Sequence, residues 1–164
     1  MDISSSSVYP IGDLSNFTER HFIFDDIVCN SLEGVLQSLK MESVDEQKKT
    51  CLLVSYEAKK RGRKYSDDID WRKSQTLFWK GVEYNRKSKE YQLLLDRLYD
   101  AVYIQCPEFS KALVDAGKNT KFTHSIGCTN IKETILTEYE FCSRLQYLKD
   151  YGLLKDKKQK VSYI

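Results

Sequence analysis

"NSLEGVLQSLK", Asn30–Lys40, decides how the chain is read. At about 100° per residue, Leu32, Val35, Leu36 and Leu39 fall on one apolar stripe, the pattern of a helix that buries one face. Glu33, Gln37 and Lys40 form a second stripe, its centre roughly 100–120° from the first, so this polar line borders the core. Glu33 and Lys40 are two turns apart, about 10 Å along the axis, and helical side chains lean toward the N-terminus. Lys40 can therefore reach back over Gln37 toward Glu33, and a small polar ligand would fit between them. The same spacing also suits a bland helix, with Asn30 as its cap, Glu33 at the third position of a capping-box-like start, and Gln37 and Lys40 as a solvated flank.

Working outward, the chain alternates short strands with longer helices. Phe22-Ile23-Phe24 and Ile27-Val28-Cys29 flank the turn-forming pair Asp25-Asp26, which predicts two short β runs leading into a helix from Ser31 to about Met41. A second helix is predicted over Asp45 to Lys60, stopping near Gly62, then a polar loop from Tyr65 to Asp70, then a helical stretch from Trp71 to about Tyr84. Ser88 to Ile104 reads as a strong helix with Leu93, Leu94, Leu98 and Val102 on one side. Pro107 starts the next helix and Gly117 ends it. Phe122 to Ile126 is a candidate strand. Thr137 to about Tyr151 makes the last helix, opened by a Thr137/Glu140 capping box. The expected fold class is α+β, a mainly helical single domain with a small β-sheet. Residues 1–8 are expected to be a short flexible N-terminus, and residues 155–164, which include KDKKQK, a solvated basic tail.

The 164 residues suit one domain that closes a hydrophobic core without metals or disulfides. Apolar residues at 41% and charged residues at 30% are ordinary for a globular chain, and no run of about 18 apolar residues exists to cross a membrane. MDISSSSVYP lacks the basic and apolar regions of a signal peptide, so a cytoplasmic protein with no membrane partner is expected. The five cysteines stand singly, with no CxxC pair, and the two histidines lie far apart. Neither a disulfide framework nor a metal site is indicated, and no cofactor is expected. Net charge is only +2, yet Lys59, Lys60, Arg61, Arg63 and Lys64 crowd around Gly62.

"GDLSNF" (Gly12–Phe17), then Asp25, then "SLEGVLQSLK", resembles the N-terminal signature of the NADAR superfamily, which includes the YbiA-like N-glycosidases. That pattern is G-[DE]-[FL]-S-N-F, a strand pair, then E-x-x-x-Q-x-x-K on a helix. Farther along, "EAKKRG", Trp71, "EYQLLLDRLY", "ALVDAG", "HSIG" and "ETILTEYEF" are similar to a branch of this superfamily often encoded by phages. One departure stands out: many members carry an Asp-x-x-Trp-Gly motif in the C-terminal third, and this chain has none.

The resemblance implies a compact α+β domain that binds ADP-ribose-like or ribose-phosphate-bearing molecules and cleaves an N-glycosidic bond at ribose C1′. The leading expectation is a glycohydrolase that removes ADP-ribose from nucleobases, guanine in DNA in particular; the alternatives are a small-molecule N-glycosidase acting on the ribosylamino-pyrimidine phosphates of riboflavin synthesis and a non-catalytic module that binds ADP-ribose or an NAD derivative. On this implication Lys40 is the candidate nucleophile, provided that its pKa is lowered, and Glu33 the candidate acid/base. Gln37 would orient ribose hydroxyls. Ser15 and Asn16 would present donors to phosphate or ribose oxygens, while Phe17 packs under the loop or stacks on a base.

Other residues add to the substrate-binding set. Trp71 and Trp79 lie eight apart on the expected helix, about 80° around it, so that one can line a pocket and the other the core; core packing suits either, and Trp79 is the one carried as a candidate pocket residue. His124 precedes Ser125-Ile126-Gly127, where glycine lets backbone approach a ligand, and a structural hydrogen bond suits this histidine equally well. Glu133 is a second candidate carboxylate. Lys60, Arg61, Arg63 and Lys64 are the candidate nucleic-acid contacts, because cations on a helix end neutralise phosphates, although such a run also suits a solvated face. No helix-turn-helix, zinc finger or RNA-recognition motif accompanies them.

Overall fold

The computed structural model describes residues 1–68 and 70–157, with 66–68 as backbone only. Phe22–Phe24 (β1) and Ile27–Cys29 (β2) pair antiparallel, Phe24 opposite Ile27, and bury alternate residues. Asp25 and Asp26 both take positive φ, 46° and 67°, a conformation that Asp tolerates better than most residues, and so turn the hairpin. The chain then enters α1, Leu32–Ser38. Its cap is Ser31 rather than Asn30: the Ser31 hydroxyl accepts from the Gly34 N–H at 2.9 Å. Asn30 instead bonds the far side of the fold, its N–H to Cys51 O and its amide to Leu52 O. Leu32, Val35, Leu36 and Leu39 are buried as the stripe predicts. Lys40 lies in the turn just after α1, with its N–H on Gln37 O.

The single helix expected over Asp45 to Lys60 is two. Val44–Cys51 (α2) and Ser55–Asp68 (α3) are separated by Leu52, Leu53 and Val54. The carbonyls of Leu52 and Leu53 accept from Asn30 and Ser31, so hydrogen bonds to α1 replace those that would continue the helix. Gly62 stops nothing. It sits inside α3, which runs on through the expected loop to Asp68, and it is glycine because a Cβ there would fall 1.8 Å from Gln37 Oε1.

The expected helix from Trp71 to Tyr84 is also overturned. Trp71–Ser74 (α4) ends when Gln75 turns left-handed at φ 54°. Thr76–Trp79 (β3) and Val82–Asn85 (β4) then form a second antiparallel hairpin, with Trp79 opposite Val82. Its two-residue turn, Lys80-Gly81, has both residues at positive φ (49° and 83°), matching the twist of the strands. The β elements are thus two separate two-stranded sheets. Trp79 links them, stacking on Phe24 at 5.2 Å and donating from its indole N–H to Asp25 at 2.8 Å.

Lys89–Gln105 (α5), capped by Ser88, crosses the core with Tyr91, Leu94, Leu95, Leu98, Tyr99 and Val102 buried. Leu93, expected among them, is half-exposed on the outer face. Pro107–Asp115 (α6) follows, with Gly117 at φ 96° just past it, as expected. Glu138–Tyr151 (α7) carries the expected Thr137/Glu140 capping box. Glu140 also receives the fully buried Arg86 guanidinium at 2.6 and 3.1 Å and the Gln92 amide at 2.7 Å. Phe122 to Ile126 is not a strand. Thr123 makes one parallel bridge to Asp2.

That bridge corrects the reading of the N-terminus as flexible. The Ile3 N–H donates to Thr123 O at 2.8 Å, and the Ile3 side chain is wholly buried. At the other end, Asp100 accepts from the Leu154 and Lys155 N–H groups, and Lys157 Nζ lies 2.9 Å from Asp96. This part of the expected solvated tail is packed, and residues 158–164 lie outside the described residues. The fold is α+β with helices in the majority, and among the described residues no helix is long and apolar enough to cross a membrane.

Candidate functional site

Two adjoining cavities open along the polar stripe of α1. The first, about 260 Å³, lies between Glu33, the Ser15-Asn16-Phe17 loop, His124 and the Thr134–Thr137 segment. The second, about 340 Å³, is lined by Lys40, Arg63, Trp71, Arg72 and Glu133. Gln37, Lys59, Thr134 and Ile135 line both. The line Glu33, Gln37, Lys40 drawn from sequence is therefore the seam of the site.

The GDLSNF stretch holds its shape from within. Gly12 starts a 3-10 turn, Gly12–Leu14, where a Cβ would fall 2.0 Å from Ser7 O, so the loop can fold back only on glycine. Ser15 accepts from the Phe17 N–H, and Asn16 O accepts from the Glu33 N–H at 3.0 Å, fastening the loop to the first turn of α1. The Asn16 side-chain oxygen takes the hydroxyl of buried Tyr99 at 2.8 Å. Phe17 borders the first cavity, with the Lys59 ammonium 5.8 Å from its ring centroid.

Glu33 is buried and receives the Gln37 amide at 2.7 Å. Burial raises its pKa, against the hydrogen bond from Gln37 and the charges of Lys59 and Lys40, which lower it. Lys40 moves the other way. Burial lowers its pKa to about 8, helped by Arg72, Arg63 and Lys59 and opposed by Glu33. Here, then, a carboxyl group whose pKa is raised shares a seam with an amine whose pKa is lowered, opposed shifts that suit an acid and a nucleophile. Among the described residues, the Oε1 of Gln37 is buried with no hydrogen-bond partner, an acceptor left open at the seam.

The wall opposite α1 is fixed by the buried polar network. Arg86 Nε donates to Thr134 O at 2.8 Å, and the Tyr91 hydroxyl to Ile135 O at 2.6 Å. His124 lines the first cavity, its Nδ1 held 2.6 Å from Ile3 O and its ring tilted over Phe141. Glu133 lines the second cavity from an exposed position.

Trp79 lines neither cavity. It is a core residue, and Trp71, buried at the second cavity, is the tryptophan of the site. The basic cluster does not act as one face either. Lys59 and Arg63, one helical turn apart, line the cavities, Arg63 also being exposed, Arg61 pairs with Glu46, and Lys60 and Lys64 are exposed and line neither. Sequence reasoning missed Arg72 and the site role of Lys59. Lys59 was legible as the residue four before Arg63, whereas Arg72 lies outside the basic run, in a stretch read as one long helix from Trp71 although α4 ends at Ser74.

The model of the family described as bacteriophage protein GP30.3 matches residues 8–150. The chain belongs to this phage family. GP30.3 relatives include a protein of Enterobacteria phage T4 described as "Uncharacterized 17.1 kDa protein in Gp30-rIII intergenic region". It is 36% identical over 151 residues, which cover 92% of this chain and 97% of that protein. No solved structure matches the chain.

Proposed function

We propose that this GP30.3-family protein is an N-glycosidase of the NADAR type that releases ADP-ribose from a nucleobase. The observation that carries the reading is the opposed pair on one seam: buried Glu33, its pKa raised, and Lys40, its pKa lowered to about 8, in cavities joined by Gln37. Neutral Lys40 adds to ribose C1′ as the C1′–N bond breaks, and the departing base takes the Glu33 proton. The Glu33 carboxylate then removes a proton from the new C1′–N bond's nitrogen. Ring opening, with the proton passing to the ribose oxygen, gives an imine on Lys40, and water releases the aldehyde form of the sugar and restores the amine.

A second reading, a small-molecule N-glycosidase acting on a ribosylamino-pyrimidine phosphate, is favoured by one observation: of the four proposed nucleic-acid contacts, Arg61 is paired to Glu46 and Arg63, though exposed, lines a cavity, so the basic run does not present one continuous face. Incubation with ADP-ribosylated DNA or with free ribosylated bases, followed by borohydride reduction and mass analysis, tests both. A ribosyl adduct on Lys40 and released base are expected, and the substrate that yields them selects the reading. Full turnover in Lys40→Ala would reject the mechanism.

A further inference from the structure

We infer that the second cavity is a phosphoryl-binding pocket, which takes the 5′-phosphate or diphosphate of a ribosyl ligand on Arg63, Arg72 and Lys59. Four cations from three places in the chain converge there: Lys40 after α1, Lys59 and Arg63 from α3, and Arg72 from α4. Glu133 is the one carboxylate among the described lining residues. Among the described residues, Lys40, Lys59 and Arg63 make no ion pair, and Arg72 is held in place by Asp70 at 3.0 Å. Like charges gathered at one cavity repel, and a bound anion relieves that cost. The depressed pKa of Lys40, to which Arg72, Arg63 and Lys59 all contribute after burial, reports the same crowding.

Two guanidinium groups suit a phosphoryl group in particular, because each offers paired N–H donors to two of its oxygens. The volume, about 340 Å³, admits a phosphate or diphosphate. At the seam, Gln37 Oε1 is an acceptor without a partner among the described residues, on a side chain 5% exposed and placed to take a sugar hydroxyl. The ligand thus lies with its base in the first cavity near Phe17, its ribose at Gln37 and its phosphoryl group between Arg63 and Arg72. This inference rests on the proposed reading of the seam as a ribosyl site, but it concerns binding and needs no turnover.

The test is calorimetric titration of the full chain with adenosine 5′-monophosphate, adenosine and inorganic pyrophosphate, for wild type, Arg63→Gln, the double variant Arg63→Gln/Arg72→Gln, and Lys48→Gln as an exposed control that borders neither cavity. The monophosphate is expected to bind at least tenfold more tightly than adenosine, and pyrophosphate to compete with it. Arg63→Gln should weaken that preference, the double variant abolish it, and Lys48→Gln preserve it, all with unchanged circular dichroism. Equal binding of nucleotide and nucleoside, no binding of either phosphate compound at millimolar concentration, or a preference that survives the double variant overturns the inference. A phosphate preference in a protein that hydrolyses none of the tested substrates sustains the pocket while the catalytic reading falls.

Discussion

Lys40 and Glu33 tie up stability that their neighbours must offset. A lysine whose folded pKa is depressed contributes stability above its unfolded pKa, near 10.5, and loses it as pH falls through the folded value, about 8. At pH 7 its charged form is therefore a cost. Lys40→Met is expected to raise the melting temperature at pH 7, the gain shrinking between pH 8 and 10.5, while turnover falls by about a hundredfold or more. A solvated flank would show neither effect, since exposed substitutions shift stability by at most about 0.5 kcal/mol. Glu33 has the opposite sign of shift and the same consequence. Its raised pKa makes it stabilising only at low pH, and that contribution is lost as pH rises through the folded value, so Glu33→Gln should also stabilise at neutral pH and impair turnover more than binding. Thermal melts against pH, read beside kcat and KM, check both. In wild type, kcat/KM should climb toward pH 8 as Lys40 loses its proton.

At the scale of elements, α1 and α3 meet where Gly62 lies against Gln37. Ala is the better helix former by about 1 kcal/mol, so an open position would gain stability from Gly62→Ala. Here the new Cβ displaces the Gln37 side chain, and with it the 2.7 Å bond to Glu33. The expected outcome is a folded protein with ligand affinity down at least tenfold, measured by titration. Unchanged affinity would sink the claim that Gln37 is the seam. Arg86 and Glu140 join β4's end to α7 and hold the Thr134 carbonyl in the cavity wall. Glu140→Gln leaves a buried guanidinium uncompensated and should cost about 3–5 kcal/mol in urea unfolding. Burial works against the Glu140 charge, but hydrogen bonds and the charge of Arg86 outweigh it and depress the pKa. Its contribution is therefore present above the usual carboxylate pKa and lost as pH falls through the depressed value, so acid unfolding should be shallower in the variant.

At the scale of the whole molecule, the two ends of the described chain are fastened to its middle. Ile3 is core and also borders the first cavity, and its carbonyl holds His124. Ile3→Ala is expected to lose about 2–5 kcal/mol of stability by chemical denaturation, as for other large core residues. A flexible terminus would lose nothing. The site is consequently a product of distant segments: Ile3, Asn16, Glu33, Lys40, Arg63, Trp71 and His124 each border one of the cavities.

The α1 stripe, the β1–β2 hairpin, the capping box of α7 and the break before Pro107 are all local patterns, written in side-chain periodicity, β-branching and cap chemistry within a few residues, and these the sequence by itself determined. The line Glu33, Gln37, Lys40 belongs with them, because helical spacing alone puts those three on one edge. The split of α2 from α3 does not, since the carbonyls of Leu52 and Leu53 are claimed by Asn30 and Ser31, about twenty residues away. Nor does the docking of Ile3, whose partner Thr123 is 120 positions distant. The second hairpin was legible in Thr76–Trp79, Lys80-Gly81 and Val82–Asn85, and was missed by extending a helix from Trp71. Only the tertiary structure decided that Trp71 rather than Trp79 meets the cavity, and that the basic run divides between site, ion pair and solvent. Which face of an element is a binding face depends on what packs against the others, and no local spacing carries that.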